Sequence, residues 1–225
     1  MSNKSKKKKV KIRYKRVIVL FTFIFFIIFL CIYIKNIKIT NIYIKGNNLL
    51  NDQEIIDITF LSNYPESIKN PSWKIEERLE KNIYILNANV SKKGITKVYI
   101  EVEENIPILY NSIKNKTVLK DGTEVLDKFD VPILVNYIPD TIYDNFIKEL
   151  VNIDNEILKR ISEIKYDPSD VDDERFLLSM VDGNYVYLTL NRFDAINNYI
   201  VIIKNFDNKK GILNLDVGNV FKYFD

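Results

Sequence analysis

A single uncharged run near the N-terminus constrains every other part of this chain. Residues 17–34 contain eighteen consecutive residues without a charge, and fifteen of them are Val, Ile, Leu or Phe. A helix of this length measures about 27 Å at roughly 1.5 Å per residue, close to the hydrocarbon thickness of a bilayer. A core helix of a soluble domain would show a polar face, and this run has none. The sequence therefore predicts one transmembrane helix over residues 17–34.

The charges before this run predict its orientation. Nine basic residues and no acidic residue precede it: Lys4, Lys6, Lys7, Lys8, Lys9, Lys11, Arg13, Lys15 and Arg16. By the positive-inside rule, this basic tail, residues 1–16, stays in the cytoplasm. A cleaved signal peptide is the alternative, but it would have a shorter apolar region and end in small residues, whereas the segment around Tyr33 is bulky. We expect a retained type II anchor with everything after Lys35 outside the cytoplasm.

The overall charge of +3 combines two opposed parts of the chain. Nine of the 33 basic residues lie in the tail, so 24 basic and 30 acidic residues follow it, for a net charge of −6. Nucleic-acid binding needs positive charge on the folded part, so this class of function is disfavoured. Cys31 is the only cysteine and lies in the apolar run, which excludes an internal disulfide and a thiolate metal site.

The first segment after the anchor, residues 37–104, begins with strand and helix signals. Ile42 and Ile44 alternate with polar residues up to Gly46, which predicts a strand followed by a turn with a left-handed residue. Asn51, with Glu54 three residues later, has the pattern of a capping box and predicts the start of a helix.

The same segment continues with a second helix and two strands. Ser72 is the expected N-cap of the second helix, whose predicted inward face is Trp73, Ile75, Leu79 and Ile83. A strand over residues 85–90 turns near Gly94 into a second strand in which the apolar residues alternate with charged ones. The order strand, helix, helix, strand, strand predicts a small α+β domain with its helices on one face of a three-stranded sheet.

The second segment, residues 106–225, is rich in short strands. Strands are predicted over residues 108–113, 117–120 and 124–126, over the hairpin 176–181 and 185–190, and over 212–216 and 220–224. Helical spacing predicts a helix around residues 143–151, a short helix that ends near residues 162–164, and a last helix over 193–206.

The residue types needed for most catalysis are missing from this chain. It has no histidine, which removes histidine-dependent triads and the usual zinc ligands. Ser5 and Lys8 have the spacing of a serine–lysine motif but lie in the charged tail. One acidic cluster could bind a hard cation, although it lacks the ligand pattern of a calcium loop and reads as a solvated loop: Asp167, Asp170, Asp172, Asp173 and Glu174. We expect no metal site and no cofactor.

Two groups of residues resemble a known family. Ile42-x-Ile44-x-Gly46-Asn47, followed by Glu54-Ile55, and the later segments at residues 87–90 and 99–104 are similar to the POTRA domain of the DivIB/FtsQ family of bacterial cell-division proteins. The second segment resembles the β domain that follows POTRA in that family, through residues 106–108, 121–122, 132–134, 161–164, 182–183 and 213–216.

The resemblance implies a fold and a function. The fold is α+β: a single N-terminal transmembrane helix, a POTRA domain of order βααββ at residues 37–104, and a mixed α/β β domain, dominated by antiparallel strands, at residues 106–225. The function is that of a non-catalytic scaffold at the division septum. It joins small single-pass coiled-coil partners of the FtsL type and the FtsB/DivIC type, and acts on septal peptidoglycan synthesis.

The last strand is the predicted partner-binding edge, because family members are thought to accept a partner strand there. The residues are Val220, Phe221, Lys222, Tyr223 and Phe224. Two alternatives stay open at this point. This strand can instead be internally paired and fill the core. The chain can also be a membrane-anchored envelope enzyme or sugar-binding module that uses the acidic cluster.

Overall fold

The computed structural model describes residues 14–206 and 209–224, and the chain divides between Glu104 and Asn105 into two compact units. The first unit contains α1 (Tyr14–Lys35), β1 (Asn41–Lys45), α2 (Asp52–Ile58), α3 (Ser72–Glu80), β2 (Ile85–Lys93) and β3 (Lys97–Glu104). The second contains β4 (Pro107–Asn111), β5 (Lys116–Leu119), β6 (Glu124–Val125), β7 (Ile133–Leu134), α4 (Asp140–Val151), α5 (Asn155–Leu158), β8 (Ile161–Tyr166), β9 (Arg175–Met180), β10 (Tyr185–Thr189), α6 (Tyr199–Ile203), β11 (Gly211–Asn214) and β12 (Val220–Tyr223).

The apolar run forms α1, which is 22 residues long, and none of its side chains is buried. Within the described residues, α1 is the one helix long and apolar enough to cross a membrane. The hydroxyl of Thr22 donates to the Ile18 carbonyl oxygen at 2.9 Å, so this polar group is satisfied inside the helix. Lys15 and Arg16 of the topology signal lie at the start of α1. Its other seven residues, Lys4, Lys6, Lys7, Lys8, Lys9, Lys11 and Arg13, lie outside the described residues.

The first unit has the predicted order βααββ. Its sheet has the order β1-β3-β2, with β1 parallel and β2 antiparallel to β3. Val98, Ile100 and Val102 of β3 are buried, as their alternation predicts. Gly46 ends β1 with φ +86°, and a Cβ at this position would overlap the carbonyl oxygen of Val102, so both the turn and the close approach require glycine.

The capping box of α2 is confirmed, since the Asn51 side chain accepts from the Glu54 amide and the Glu54 carboxylate accepts from the Asn51 amide. Three predictions for α3 are wrong. Pro71 is the N-cap, because its carbonyl accepts the first helical bonds and makes Ser72 the first helical residue. Trp73 is 64% exposed. It precedes the buried Ile75 by two positions, which is about 200° around the helix, so its side chain points away from the core. Ile83 is exposed because α3 ends before it, at Glu80.

The second unit is built on a nine-stranded mixed sheet of order β12-β11-β10-β9-β8-β7-β4-β5-β6. Five of its eight strand pairs are antiparallel, which confirms the predicted majority. Phe146 of α4 stacks on Phe176 of β9 at 4.9 Å, and the Phe193 ring meets both edge-on at 5.7 Å. These three fully buried rings form the centre of the core.

Residues 161–164, predicted as the end of a short helix, are instead the start of β8. A register shift between Ile161 and Glu163 inserts a β-bulge, which places Ile161 and Ile164 on the same buried face. Two buried residues three positions apart imitate helical spacing, and this explains the error.

The predicted last helix is broken into three pieces. Residues Leu190–Asn198 are a 3₁₀ helix with a kink at Arg192, α6 follows, and Lys204–Phe206 is a second 3₁₀ turn. Phe193, Ile196 and Tyr199 are buried at intervals of three, the spacing at which side chains of a 3₁₀ helix align.

Candidate partner-binding edge

β12 is the last strand on one side of the nine-stranded sheet. It pairs antiparallel with β11 over four residue pairs, from Asn214–Val220 to Gly211–Tyr223. Within residues 14–206 and 209–224, no strand pairs with the other side of β12. The strand contains four of the five residues predicted as a partner-binding edge, and the fifth follows directly: Val220, Phe221, Lys222, Tyr223 and Phe224.

The main chain of β12 has an inner and an outer side. The Phe224 amide donates to the Lys210 carbonyl oxygen at 3.0 Å, so the amide of Phe224 faces β11. Alternate residues direct their main-chain groups to the same side, so the N–H and C=O groups of Lys222 face β11 as well. Phe221 and Tyr223 therefore direct their N–H and C=O groups outward, which is the arrangement that an added strand requires.

Aromatic side chains hold β12 in place. Phe221 packs against the core of the unit and stacks on Phe206 with ring centroids 4.4 Å apart. The Tyr223 ring lies 5.2 Å from Phe221, and the ammonium group of Lys209 lies 5.0 Å above it. Such contacts are worth about 0.5–1.5 kcal/mol each beyond area burial. The core-filling alternative thus describes Phe221, whereas most of the strand is exposed: Val220, Lys222, Tyr223 and Phe224.

Gly211 allows β12 to approach β11. A Cβ at this position would overlap the Lys222 carbonyl oxygen and lie 2.9 Å from both the Lys222 carbonyl carbon and Phe221 Cε1. Backbone atoms of β12 cannot move aside without leaving the sheet, so every larger residue displaces the strand. Sequence reasoning did not identify Gly211, because the need for glycine arises from a strand about ten residues later.

A buried polar network fixes the start of β11. Asn184, which is buried in the β9–β10 turn, accepts from the Gly211 amide at 3.0 Å and donates to the Tyr199 hydroxyl at 2.9 Å. That hydroxyl donates to Asp182 at 2.7 Å. Burial raises the pKa of Tyr199 well above its ordinary value, and the Asp182 hydrogen bond acts in the same direction, so the hydroxyl stays a donor. The sequence predicted the turn but not this network.

Two other strands at sheet edges offer less main chain to an added strand than β12 does. On β2 of the first unit, the Val90 amide donates to the Glu76 carboxylate of α3 at 2.7 Å. At the far end of the nine-stranded sheet, β6 has two residues, and Lys114 and Lys116 bind Glu124 at 2.7 and 3.0 Å. The hydrogen bond from Lys114 lowers the pKa of the Glu124 carboxyl. Short strands and charged side chains are ordinary protection against unwanted strand addition.

Neighbouring residues bind Asp167 and Asp172 of the acidic cluster. The Asp167 carboxylate binds Lys165 at 2.8 Å and lies 3.8 Å from Arg175, and the Lys165 hydrogen bond lowers the pKa of Asp167. Asp172 accepts from the Glu174 amide at 2.9 Å within the turn. Among the described residues, no three His, Cys, Asp or Glu side chains gather closely enough to hold a metal ion. Asp170 and Asp173 lie in the same turn segment.

Comparisons with known proteins match both units. Residues 37–105 match the family model of the FtsQ-type POTRA domain. The chain is 31% identical to cell division protein DivIB of Bacillus subtilis (strain 168), over 93% of this chain and 84% of that protein. It is 26% identical to cell division protein DivIB of Bacillus anthracis, over 97% of this chain and 86% of that protein.

A solved structure was also matched: the major extracytoplasmic domain, trans isomer, of the cell division protein DivIB from Geobacillus stearothermophilus. That match has a TM-score of 0.38 and 23% identity, and covers 45% of this chain and 92% of the other. The family assignment rests on the sequence matches, which extend over nearly the whole chain. The chain belongs to the DivIB family of cell-division proteins.

Proposed function

We propose that this chain is a non-catalytic, single-pass scaffold of the divisome that captures a partner strand at β12. The observation that carries the proposal is the outer side of β12, where the main-chain groups of Phe221 and Tyr223 face outward beside exposed side chains. A partner strand would gain main-chain hydrogen bonds at about 0.5–1.5 kcal/mol each, and the alternating side chains would supply selectivity.

The family resemblance supplies the partners in this proposal. They are small single-pass coiled-coil proteins of the FtsL type and the FtsB/DivIC type, which connect the scaffold to septal peptidoglycan synthesis. α1 anchors the chain with its N-terminus in the cytoplasm and both units outside, at the septum. Anchoring confines scaffold and partners to the same membrane, so a weak edge contact suffices for assembly. The work requires no active site.

The test separates the main chain of the edge from its side chains. Tyr223→Ala removes the ring and keeps the outward N–H, whereas Tyr223→Pro removes both, and proline is tolerated at a strand edge when its nitrogen faces outward. We expect partner capture to be about two- to tenfold weaker in Tyr223→Pro than in Tyr223→Ala, since the lost main-chain bond is worth about 0.5–1.5 kcal/mol and 1.4 kcal/mol is a factor of ten. The measurement is co-purification and titration of the full-length variants with their small membrane partners.

A chain that ends after Asp216 is the complementary variant. It lacks β12 entirely and should lose partner capture while the first unit stays folded. If this shortened chain still binds its partners at wild-type affinity, or if Tyr223→Pro equals Tyr223→Ala, the partner does not bind at β12. In cells, depletion of the protein should give long undivided filaments or misplaced septa.

A further inference from the structure

Exposed apolar side chains gather at the end of the first unit that adjoins α1. Tyr64 and Ile68 lie in the segment between α2 and α3, and Ile95 lies at the tip of the β2–β3 hairpin. None of these three side chains belongs to the hydrophobic core of the first unit. We call Tyr64, Ile68 and Ile95, with the lysines around them, the membrane-proximal surface.

Main-chain hydrogen bonds attach both segments to the residues that directly follow α1. The Ser67 amide donates to the Ile37 carbonyl at 2.8 Å, and the Ile39 amide donates to Pro65 at 3.0 Å. The Thr40 amide donates to the Thr96 carbonyl of the hairpin tip at 2.8 Å. The two segments are also joined to each other, because the Lys92 ammonium donates to the Ser67 carbonyl at 2.7 Å.

These attachments place the surface at the depth of the lipid headgroups. The Asn36 and Ile37 amides donate to Tyr33 and Ile34 at 3.2 Å, so the chain continues in a compact turn beyond α1. At about 1.5 Å per residue, Ile37 lies about 5 Å beyond Ile34, the last apolar residue of the run. The headgroup layer is about 5–8 Å thick on each side of the hydrocarbon. Residues bonded to Ile37 and Ile39 therefore border or enter this layer.

The charge of the surface fits an anionic membrane. The three segments that meet here, residues 35–41, 64–71 and 92–97, contain one acidic residue, Glu66, and six basic residues: Lys35, Lys38, Lys69, Lys92, Lys93 and Lys97. Lys69 pairs with Glu66 at 3.2 Å and the Lys92 ammonium is bound to Ser67, so the excess positive charge lies on the other four lysines. This local excess contrasts with the acidic balance of the chain after its N-terminal tail. Lysines that surround exposed Tyr and Ile side chains are typical of protein surfaces that contact anionic lipid.

We propose that the membrane-proximal surface binds the outer leaflet, with Tyr64, Ile68 and Ile95 in the interface and the lysines on anionic phospholipid headgroups. Such contact holds the first unit in one orientation on the bilayer, instead of leaving it to turn freely on its tether. The inference rests on the membrane anchor of the proposed function, but it is independent of partner capture at β12.

The test uses the full-length chain in lipid nanodiscs with a polarity-sensitive fluorophore on single cysteines. In a Cys31→Ala background, cysteines replace Ile68, Ile95 or, as the matched control, Ile83. Ile83 is 46% exposed against 45% for Ile95, but it lies near the other end of β2, about 27 Å away at roughly 3.3 Å per residue. Each disc carries either phosphatidylcholine alone or a mixture with phosphatidylglycerol, and lipids with a headgroup nitroxide serve as quenchers.

We expect the labels at positions 68 and 95 to shift to shorter wavelength and to be quenched at least about threefold more than the label at position 83. The effect should increase with phosphatidylglycerol and decrease in Lys69→Gln/Lys97→Gln variants. Equal quenching at all three positions would overturn lipid contact, and equal signals in both lipid mixtures would overturn the anionic preference. Co-elution of the protein with the discs tests the anchor separately. Protein that does not co-elute with the discs would show that the anchor itself fails.

Discussion

Substitution of Gly211 by alanine should release β12 from the sheet. The added Cβ lies 2.9 Å from the Lys222 carbonyl carbon and overlaps its oxygen. Carbon–carbon contacts are comfortable at about 3.5–4.0 Å, so β12 must withdraw by about 0.6–1.1 Å. The Phe224–Lys210 hydrogen bond, at 3.0 Å, would then exceed the distance at which an N–H···O bond still contributes.

The magnitude follows from what a withdrawn β12 gives up. Four residue pairs join it to β11, and about three main-chain bonds at about 0.5–1.5 kcal/mol each are weakened. The stack of Phe221 on Phe206, worth about 1 kcal/mol, is displaced with the strand. The pairing of β12 thus loses about 2–5 kcal/mol, whereas β11 keeps its parallel pairing with β10.

Amide hydrogen exchange of the full-length protein measures this loss locally. In Gly211→Ala, the amides that face β11, those of Val220, Lys222 and Phe224, should exchange about 30-fold faster or more, while those of β9 and β10 change little. Gly122→Ala is the matched control, because Gly122 has φ +87° and open space around it at the opposite end of the sheet. It should cost about 1–2 kcal/mol of backbone strain without exposing β12. Unchanged protection of β12 in Gly211→Ala would refute the reasoning, and so would equal loss of protection in both variants.

Two further predictions concern charged groups. Glu104 is buried and accepts from the amides of Asn48, Leu49 and Leu50 at 2.7–2.8 Å, so Glu104→Gln should lower the free energy of unfolding by about 1.5–3 kcal/mol. Thermal unfolding measures this change. The same substitution at the exposed neighbouring residue, Glu103→Gln, should have a much smaller effect, and equal effects of the two substitutions would contradict the role of Glu104. Because the pKa of Glu124 is lowered in the folded state, its pairs with Lys114 and Lys116 stabilise the fold above the ordinary value of 4.5, and this stability is lost as the pH falls through the lowered pKa. The free energy of unfolding of the wild type should therefore exceed that of Glu124→Gln by about 1 kcal/mol at pH 7, or about 4 °C in Tm, and by almost nothing near pH 3. A difference that stays constant with pH would contradict the ion pairs.

Local patterns predicted the parts of this fold that local physics determines. The Asn51–Glu54 capping box depends on two residues three positions apart, and the alternation of β3 depends on the two faces of one strand. The apolar run of α1 needs no partner in the protein at all. The family resemblance included Glu104, and the structure gives a physical reason for a glutamate there, since three amides of the turn after β1 converge on its carboxylate.

Errors arose where another element decides the outcome. Ile161 and Ile164 share a face only because the bulge against β9 shifts the register, and no signal in residues 155–166 announces that pairing. The sequence predicts Trp73 on the inward face of the second helix, but Ile75 and Leu79 set the phase of α3, and a residue two positions before Ile75 lies on the other side of the helix. Asn184, Tyr199 and Gly211 are separated by 12 to 27 positions, and only the completed sheet shows that they act together.

The construction of β12 bears directly on how a partner strand would act. The strand has one paired side, one partly buried ring and four exposed side chains, so it belongs to the less stable part of its unit. On the proposed mechanism, a partner that adds to the outer side binds only the ordered form of β12. Mass action then stabilises that form by about 2.7 kcal/mol when the partner is present at 100 times its Kd. This is comparable to the 2–5 kcal/mol that holds β12 to β11, so partner binding and the order of the edge strand should reinforce each other. A fully buried strand would gain nothing comparable, and an unpaired tail would first have to lose its conformational freedom. An intermediate edge, built on Gly211 and the Phe206–Phe221 stack, combines a preformed strand with an open side.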